Sequence, residues 1–274
     1  MRYIFTALRN EAADLIRELH LKPADTSLQC YENENTVLTV TGTGPLSAAS
    51  ACAAVLFSRH VTDRDIVINA GIAASIRNGR ENELYVIHKI HDGSSGRDYY
   101  PDLIPAPEVP EAELITGAKP YCSGNPAVSF TASAAPVLYD MEGAAVFHAA
   151  SMFLPPHRIR LLKLVSDFGE TGQIQFDPAW SSLIAETVLQ EAERMETVPP
   201  HPVKQVIDCA SLAQELHATV AMKHRLEQAL RYAELAGIDW NAIVRQYRAD
   251  GLLPSADKEA GKQILEKLIY DIQD

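Results

Sequence analysis

The chain is poor in cysteine: Cys30, Cys52, Cys122 and Cys209 are the only four among 274 residues, and no two stand close enough for a C-x-x-C pair. That excludes a dense disulfide framework and a zinc ribbon, and the thiols are read as reduced. Positive charge is also scarce, with 24 Lys+Arg against 36 Asp+Glu and a net charge of −12. An acidic chain has no general grip on nucleic acid or on an anionic membrane, so a small neutral or cationic ligand fits better. No apolar run reaches spanning length. The opening MRYIFTALRNEAADL becomes charged too early for a secretory leader, and a cytoplasmic location is expected. Nine histidines include no metal-binding pattern: His88 and His91 are three apart in one expected strand, with no carboxylate-rich motif beside them. What is abundant is apolar side chain, 47% of the residues, enough for a substantial core.

The pattern along the chain alternates strand and helix. Tyr3 to Leu8 is a short apolar run, followed by Ala12, Leu15, Ile16 and Leu19 on one helical face, with Asn10 as a cap. Thr36 to Thr41 is a β-branched run, Gly42-Thr43-Gly44 a tight turn, and Leu46 to Ser58 a helix of small residues. Strands are expected at Asp65 to Gly71, Glu83 to His91, Ala127 to Thr131 and Ile159 to Val165, with helices at Met141 to Phe153 and Ser181 to Val198. Continuous apolar strands alternating with helices predict an α/β fold, its mixed, mostly parallel sheet covered on both faces. Pro199-Pro200-His201-Pro202 marks a boundary between residues 1–202 and a helical extension, 203–274, where Leu212, Leu216, Val220, Leu226, Leu230 and Leu235 recur near helical spacing and Ser255 could cap a last helix.

Ligands of open α/β sheets sit beyond the carboxyl ends of the strands, so chemistry is sought at the turns after Ala7, Thr41, Ala70 and Val165. Gly42-Thr43-Gly44 has the beginning of a phosphate loop, but Ser47 holds the third fingerprint position and no Lys-Ser/Thr pair follows, so a plain turn explains it equally. Three acids stand at strand-to-helix junctions. Asp167 follows IRLLKLV and could hold or donate a proton, or cap a turn. Glu142 heads a small-residue helix and Glu11 follows Asn10; either could be a first-turn acid facing the helix dipole. They form one site only if their junctions converge. Tyr99 and Tyr100 could line a flat pocket or simply pack a loop, and Trp180 and Trp240 are read as packing residues.

In order, TALRNEA, TGTGPLSAA, DIVINAGIAASI, YDMEGAAVFHAA and LLKLVSDFGE form a succession that resembles the purine nucleoside phosphorylase and nucleosidase superfamily. Within it the chain is most similar to the 5′-methylthioadenosine/S-adenosylhomocysteine nucleosidases, with futalosine hydrolases as near neighbours. Met-Glu-Gly-Ala-Ala and the later Ser-Asp carry the specific part, and the resemblance spans about residues 1–200. It implies a three-layer α/β/α fold, a homodimer or larger homo-oligomer, a purine nucleoside as the small-molecule ligand, and hydrolysis of its N-glycosidic bond without metal or redox cofactor. By the same resemblance Asp167 protonates the departing purine, Glu11 activates water, and Glu142 binds the ribose hydroxyls with Met141 packed on the sugar. Ile72, Ala73, Ser166 and Phe168 flank the ligand, and Phe130 or, second, Tyr121 stacks on the base.

The chain departs from the pattern in places. Gly71-Ile72-Ala73-Ala74 stands where the nucleosidases have Gly-Ser-Ala-Gly, removing a hydroxyl. A phosphorylase would have an arginine where Asn69 stands and Gly-Asp-Pro where Thr6-Ala7-Leu8 stands, which favours water over phosphate as nucleophile. Lys163 takes roughly the place of an arginine near the water site, or is a strand lysine reaching solvent. Two rivals remain: a phosphate-dependent phosphorylase, and a nucleoside-binding or assembly module without turnover, whose output is the helical tail.

Overall fold

The computed structural model describes residues 1–123, 135–169, 175–199 and 209–273. The chain divides into two compact units, Met1–His201 and Pro202–Asp274.

The first unit is built on one ten-stranded sheet. In chain order its elements are β1 (Arg2–Thr6), α1 (Ala13–Glu18), β2 (Lys22–Pro23), β3 (Gln29–Glu32), β4 (Thr36–Val40), α2 (Pro45–Ser58), β5 (Ile66–Arg77), β6 (Leu84–Asp92), β7 (Arg97–Tyr99), β8 (Glu111–Thr116), β9 (Val137–Asp140), α3 (Gly143–Ala150), β10 (Ile159–Asp167) and α4 (Pro178–Thr197). β1 runs parallel between β4 and β5, and the short β3 and β2 extend the edge antiparallel. At the other end β5 pairs with both β9 and β10, and the path β5-β9-β8-β6-β10 returns to β5, closing five strands into a ring.

Alternation along the strands supplies both faces. Tyr3 and Phe5 of β1 join a core with Cys52, Val55 and Leu56 of α2 and Val146 and Phe147 of α3. Ile4 joins the opposite core with Leu15 of α1 and Ile184, Val188 and Ala192 of α4. The result is the expected three layers, α2 and α3 on one face and α1 and α4 on the other, because residues two apart on a strand share a side.

Several expectations change. The strand expected to end at Gly71 runs on to Arg77, so Ala70 is followed by strand and not by a turn; Ile72 to Ala74 are β-branched or small and pair with Leu164, Val165 and Asp167 of β10. α1 begins at Ala13, so Glu11 precedes the helix, and Asn10 gives no side-chain cap. The expected strand at 127–131 lies outside the described residues. β2, β3, β7, β8 and β9 add strands where the sequence has none of the long β-branched runs that signal one.

The second unit contains α5 (Ala210–Glu215), α6 (Val220–Ala236), α7 (Trp240–Ala249) and α8 (Lys258–Gln273) around its own core of Leu212, Leu216, Leu226, Leu230, Val244, Leu265 and Leu268. Thr219 caps α6 by accepting from the Met222 N–H, and Gly237 ends it at φ 72°. Asp257 Oδ1 accepts from the Ala260 N–H at the head of α8, whereas Ser255, expected as the cap, gives its hydroxyl to the carbonyl oxygens of Glu215 and Asp257. No helix among the described residues is long and apolar enough to cross a membrane.

Candidate active site

At the carboxyl ends of β1, β9 and β10, against Ile72–Ala74 within β5, the first unit forms a cavity of about 200 Å³. Glu11, Glu142 and Asp167 all line it, although 131 residues separate the first two along the chain and 25 the last two.

Each acid is held by backbone donors. Glu11 is 2% exposed; its Oε2 accepts the Leu8 N–H at 2.8 Å and its Oε1 the Ile72 N–H at 2.9 Å. The extended run of β5 puts that amide in place, and Gly71 leaves the room: a Cβ there would stand 2.7 Å from Glu11 Oε1. Burial pushes the Glu11 carboxyl above its ordinary range, against the opposing pull of the Ile72, Leu8 and Ala7 amides and of Lys163.

Glu142 is the residue before α3, yet its side chain does not cap that helix. Its Oε1 accepts the Gly44 N–H at 2.7 Å, so the Gly42-Thr43-Gly44 turn, with φ of 77° and 97° at its glycines, serves to anchor a carboxylate. Asp140 and Thr116 cap α3 instead: Asp140 Oδ2 accepts from Gly143 N–H at 2.8 Å and Thr116 Oγ1 from Ala144 N–H at 2.9 Å. Burial, with the Asp140 charge adding to it, pushes the Glu142 carboxyl up to about 7.

Asp167 reaches the cavity through a bulge. Val165 pairs with Ala73 and Asp167 with Ala74, leaving Ser166 as the extra residue of β10. Neighbours on a regular strand face opposite ways, and the bulge is what lets Ser166 and Asp167 both line the cavity. The Ser166 hydroxyl lies 2.7 Å from Asp167 Oδ2, and the Gly169 N–H donates to Oδ1 at 2.8 Å.

Ile72, Ala73 and Met141 also line the cavity, as does Tyr121, whose ring sits 5.4 Å from that of Tyr139. Phe168 does not: it is 42% exposed and absent from the lining, because beyond the bulge the backbone leaves the strand. Phe130 lies outside the described residues. Lys163 is no solvent-reaching lysine, being 2% exposed with its Nζ 2.8 Å from Asp140 Oδ2. The sequence reading missed Asp140 altogether; the one available signal was a second acid directly before Met-Glu in YDMEG. Tyr99 packs its ring 5.6 Å from Phe147, and Trp180 donates its indole N–H to Asn82 at 2.7 Å, both structural roles. Among the described residues no His/Cys/Asp/Glu group is arranged to hold a metal ion.

No family model and no curated protein matches the sequence. Solved structures do match in fold. The apo 5′-methylthioadenosine nucleosidase of Arabidopsis thaliana superposes with a TM-score of 0.58 at 17% identity, over 72% of this chain and 96% of that one. The 5′-methylthioadenosine/S-adenosylhomocysteine nucleosidase of S. pneumoniae with a transition-state inhibitor gives 0.54 at 18%, over 72% and 97%. A variant MTAN of Chlamydia trachomatis bound to MTA gives 0.54 at 22%, over 70% and 97%. This chain therefore has the fold of those nucleosidases.

Proposed function

We propose that the chain is an N-glycosidase that hydrolyses a purine nucleoside of the methylthioadenosine or futalosine type. The observation that carries the reading is the convergence of Glu11, Glu142 and Asp167 on one cavity, in a fold shared with nucleosidases.

Cleaving a ribosyl C–N bond passes through an oxocarbenium-like state, which needs a proton on the leaving base, a nucleophile on the opposite side of the sugar and negative charge near the ring. Asp167 is the group that passes a proton to the purine as the C–N electrons move to the base. Glu142 accepts hydrogen bonds from the ribose hydroxyls as an anion, with Met141 against the sugar. Glu11, also as an anion, takes a proton from the attacking water. Ser166 and the Gly169 amide orient the Asp167 carboxyl, and Tyr121 offers an aromatic face to the base.

Water is favoured over phosphate by the lining itself. Among its described residues there is no arginine or lysine, and a phosphate dianion needs cationic donors. The test is base release from methylthioadenosine, adenosine, inosine and futalosine with and without phosphate. Release from at least one without phosphate is expected, with Asp167→Asn and Glu11→Gln each slowing it by about 10²- to 10⁴-fold while the fold is kept. Strict phosphate dependence would make the chain a phosphorylase; tight binding without release would make it a nucleoside-binding module.

A further inference from the structure

Beside the cavity, outside its lining, is a buried charge that this chemistry leaves unused. Lys163 stands in the middle of β10, paired with Gly71 of β5 on one side and Tyr85 of β6 on the other. An ammonium is costly to bury unless it is paired and hydrogen-bonded. Its Nζ is 2.8 Å from Asp140 Oδ2, and both side chains are almost wholly enclosed. Asp140 is itself fixed, accepting from the Thr116 hydroxyl at 2.7 Å and the Gly143 N–H at 2.8 Å.

The fold thus brings carboxylates together from three places: Asp140 from the end of β9, Glu142 from the head of α3 and Glu11 from the segment after β1. Three such groups around one cavity repel, and the charges of Asp140 and Glu11 resist the ionisation of Glu142. Lys163 lies in register with Gly71, the residue whose missing Cβ leaves room for the Glu11 carboxylate, and it is seated on Asp140, two residues before Glu142; from there its charge opposes the burial of both Glu11 and Glu142. Burial works against its own charge, yet the three carboxylates hold the ammonium above the ordinary lysine range.

We infer that Lys163 is a positioning residue of this site: seated on Asp140, its ammonium is the fixed counter-charge that favours the anionic forms of Glu11 and Glu142 in the cavity. It touches no reacting atom and acts through the two glutamates. A merely structural ion pair would fasten β9 to β10 and leave the ionisation of both glutamates unchanged. The kinetic consequence rests on the hydrolase reading; the electrostatic one does not.

The test titrates the Glu11 and Glu142 carboxyls by ¹³C NMR in the full-length protein without substrate. In Lys163→Met both should titrate higher, by about one unit or more, and in Lys163→Arg both should stay near the wild type. In Asp140→Asn, which removes a neighbouring anion and frees the ammonium from it, Glu142 should move the opposite way, to lower pH. The acid limb of kcat/KM should follow in the same directions. Unchanged titrations in Lys163→Met, or shifts of one sign in Lys163→Met and Asp140→Asn, would overturn the inference. Should Lys163→Met fail to fold, Lys163→Gln and Asp140→Asn give the same pair of opposed shifts. Opposed carboxyl shifts in a protein that releases no base would retain the counter-charge and dismiss the hydrolase.

Discussion

At the scale of the residue, the site depends on what is missing from one side chain. Gly71 has no Cβ, and the space is taken by the Glu11 carboxylate, 2.7 Å from where that carbon would be. Gly71→Ala should therefore push the carboxylate off the Ile72 amide. The displaced group is the far end of a flexible side chain, so the fold should survive with little change in melting temperature. Turnover should fall by about 10²-fold, the effect of misplacing a catalytic group by an ångström or so. Wild-type turnover in Gly71→Ala would remove Glu11 from the water-activating role. Neither contact is legible in one dimension: Glu11 is 60 residues from Gly71, and Lys163 is 23 from Asp140. Residue type and junction position marked Glu11, Glu142 and Asp167 as candidates; only the sheet register gave Lys163 and Asp140 their pairing.

At the scale of the element, β10 carries the site at one end and fastens the helical layer at the other. Arg160 is fully buried, pairs with Glu191 of α4 and donates to the Pro105 carbonyl oxygen at 3.0 Å. Removing one member of a buried pair leaves the other charge unanswered, so Arg160→Met should destabilise by about 3–5 kcal/mol. The double variant Arg160→Met with Glu191→Leu should recover much of that loss. Urea unfolding midpoints measure both, and a single variant as stable as the wild type would contradict the assignment. The elements differ in how well the sequence announces them. β1, β4, β6 and β10 are visible as apolar or β-branched runs, α2 as a run of small residues and α4 from its periodicity. β8 and β9, EAELIT and VLYD, are short and polar at their ends, and their strand character comes from the partners that close the ring. The continuation of β5 through Gly71 was hidden for the opposite reason: glycine and alanine there read as a turn, while their small size is what admits the Glu11 side chain.

At the scale of the whole molecule, the acidic cavity sets a pH dependence of stability. Glu142 is pushed from 4.5 up to about 7 by burial and by Asp140. Its folded-state pKa thus lies above the unfolded value, so the folded protein holds a proton there that the unfolded chain releases. The associated stability is fully present below about pH 4.5 and is lost as pH rises to about 7. Glu142→Gln should abolish this part of the slope and leave the variant about 3 kcal/mol more stable than the wild type at pH 8. Denaturation curves at pH 5 and pH 8 check it, and parallel losses in both proteins would contradict it. That a site should cost the molecule stability at the pH where its carboxylates are ionised is consistent with a cavity organised for chemistry.

The most direct measurement of the central claim is the source of the oxygen in the sugar product. In phosphate-free H₂¹⁸O with methylthioadenosine or futalosine, the wild type should release free base and sugar with one ¹⁸O at the anomeric carbon per turnover, and Asp167→Asn should nearly abolish both. Base release without ¹⁸O in the sugar, or no release from any purine nucleoside by folded protein, would contradict the account.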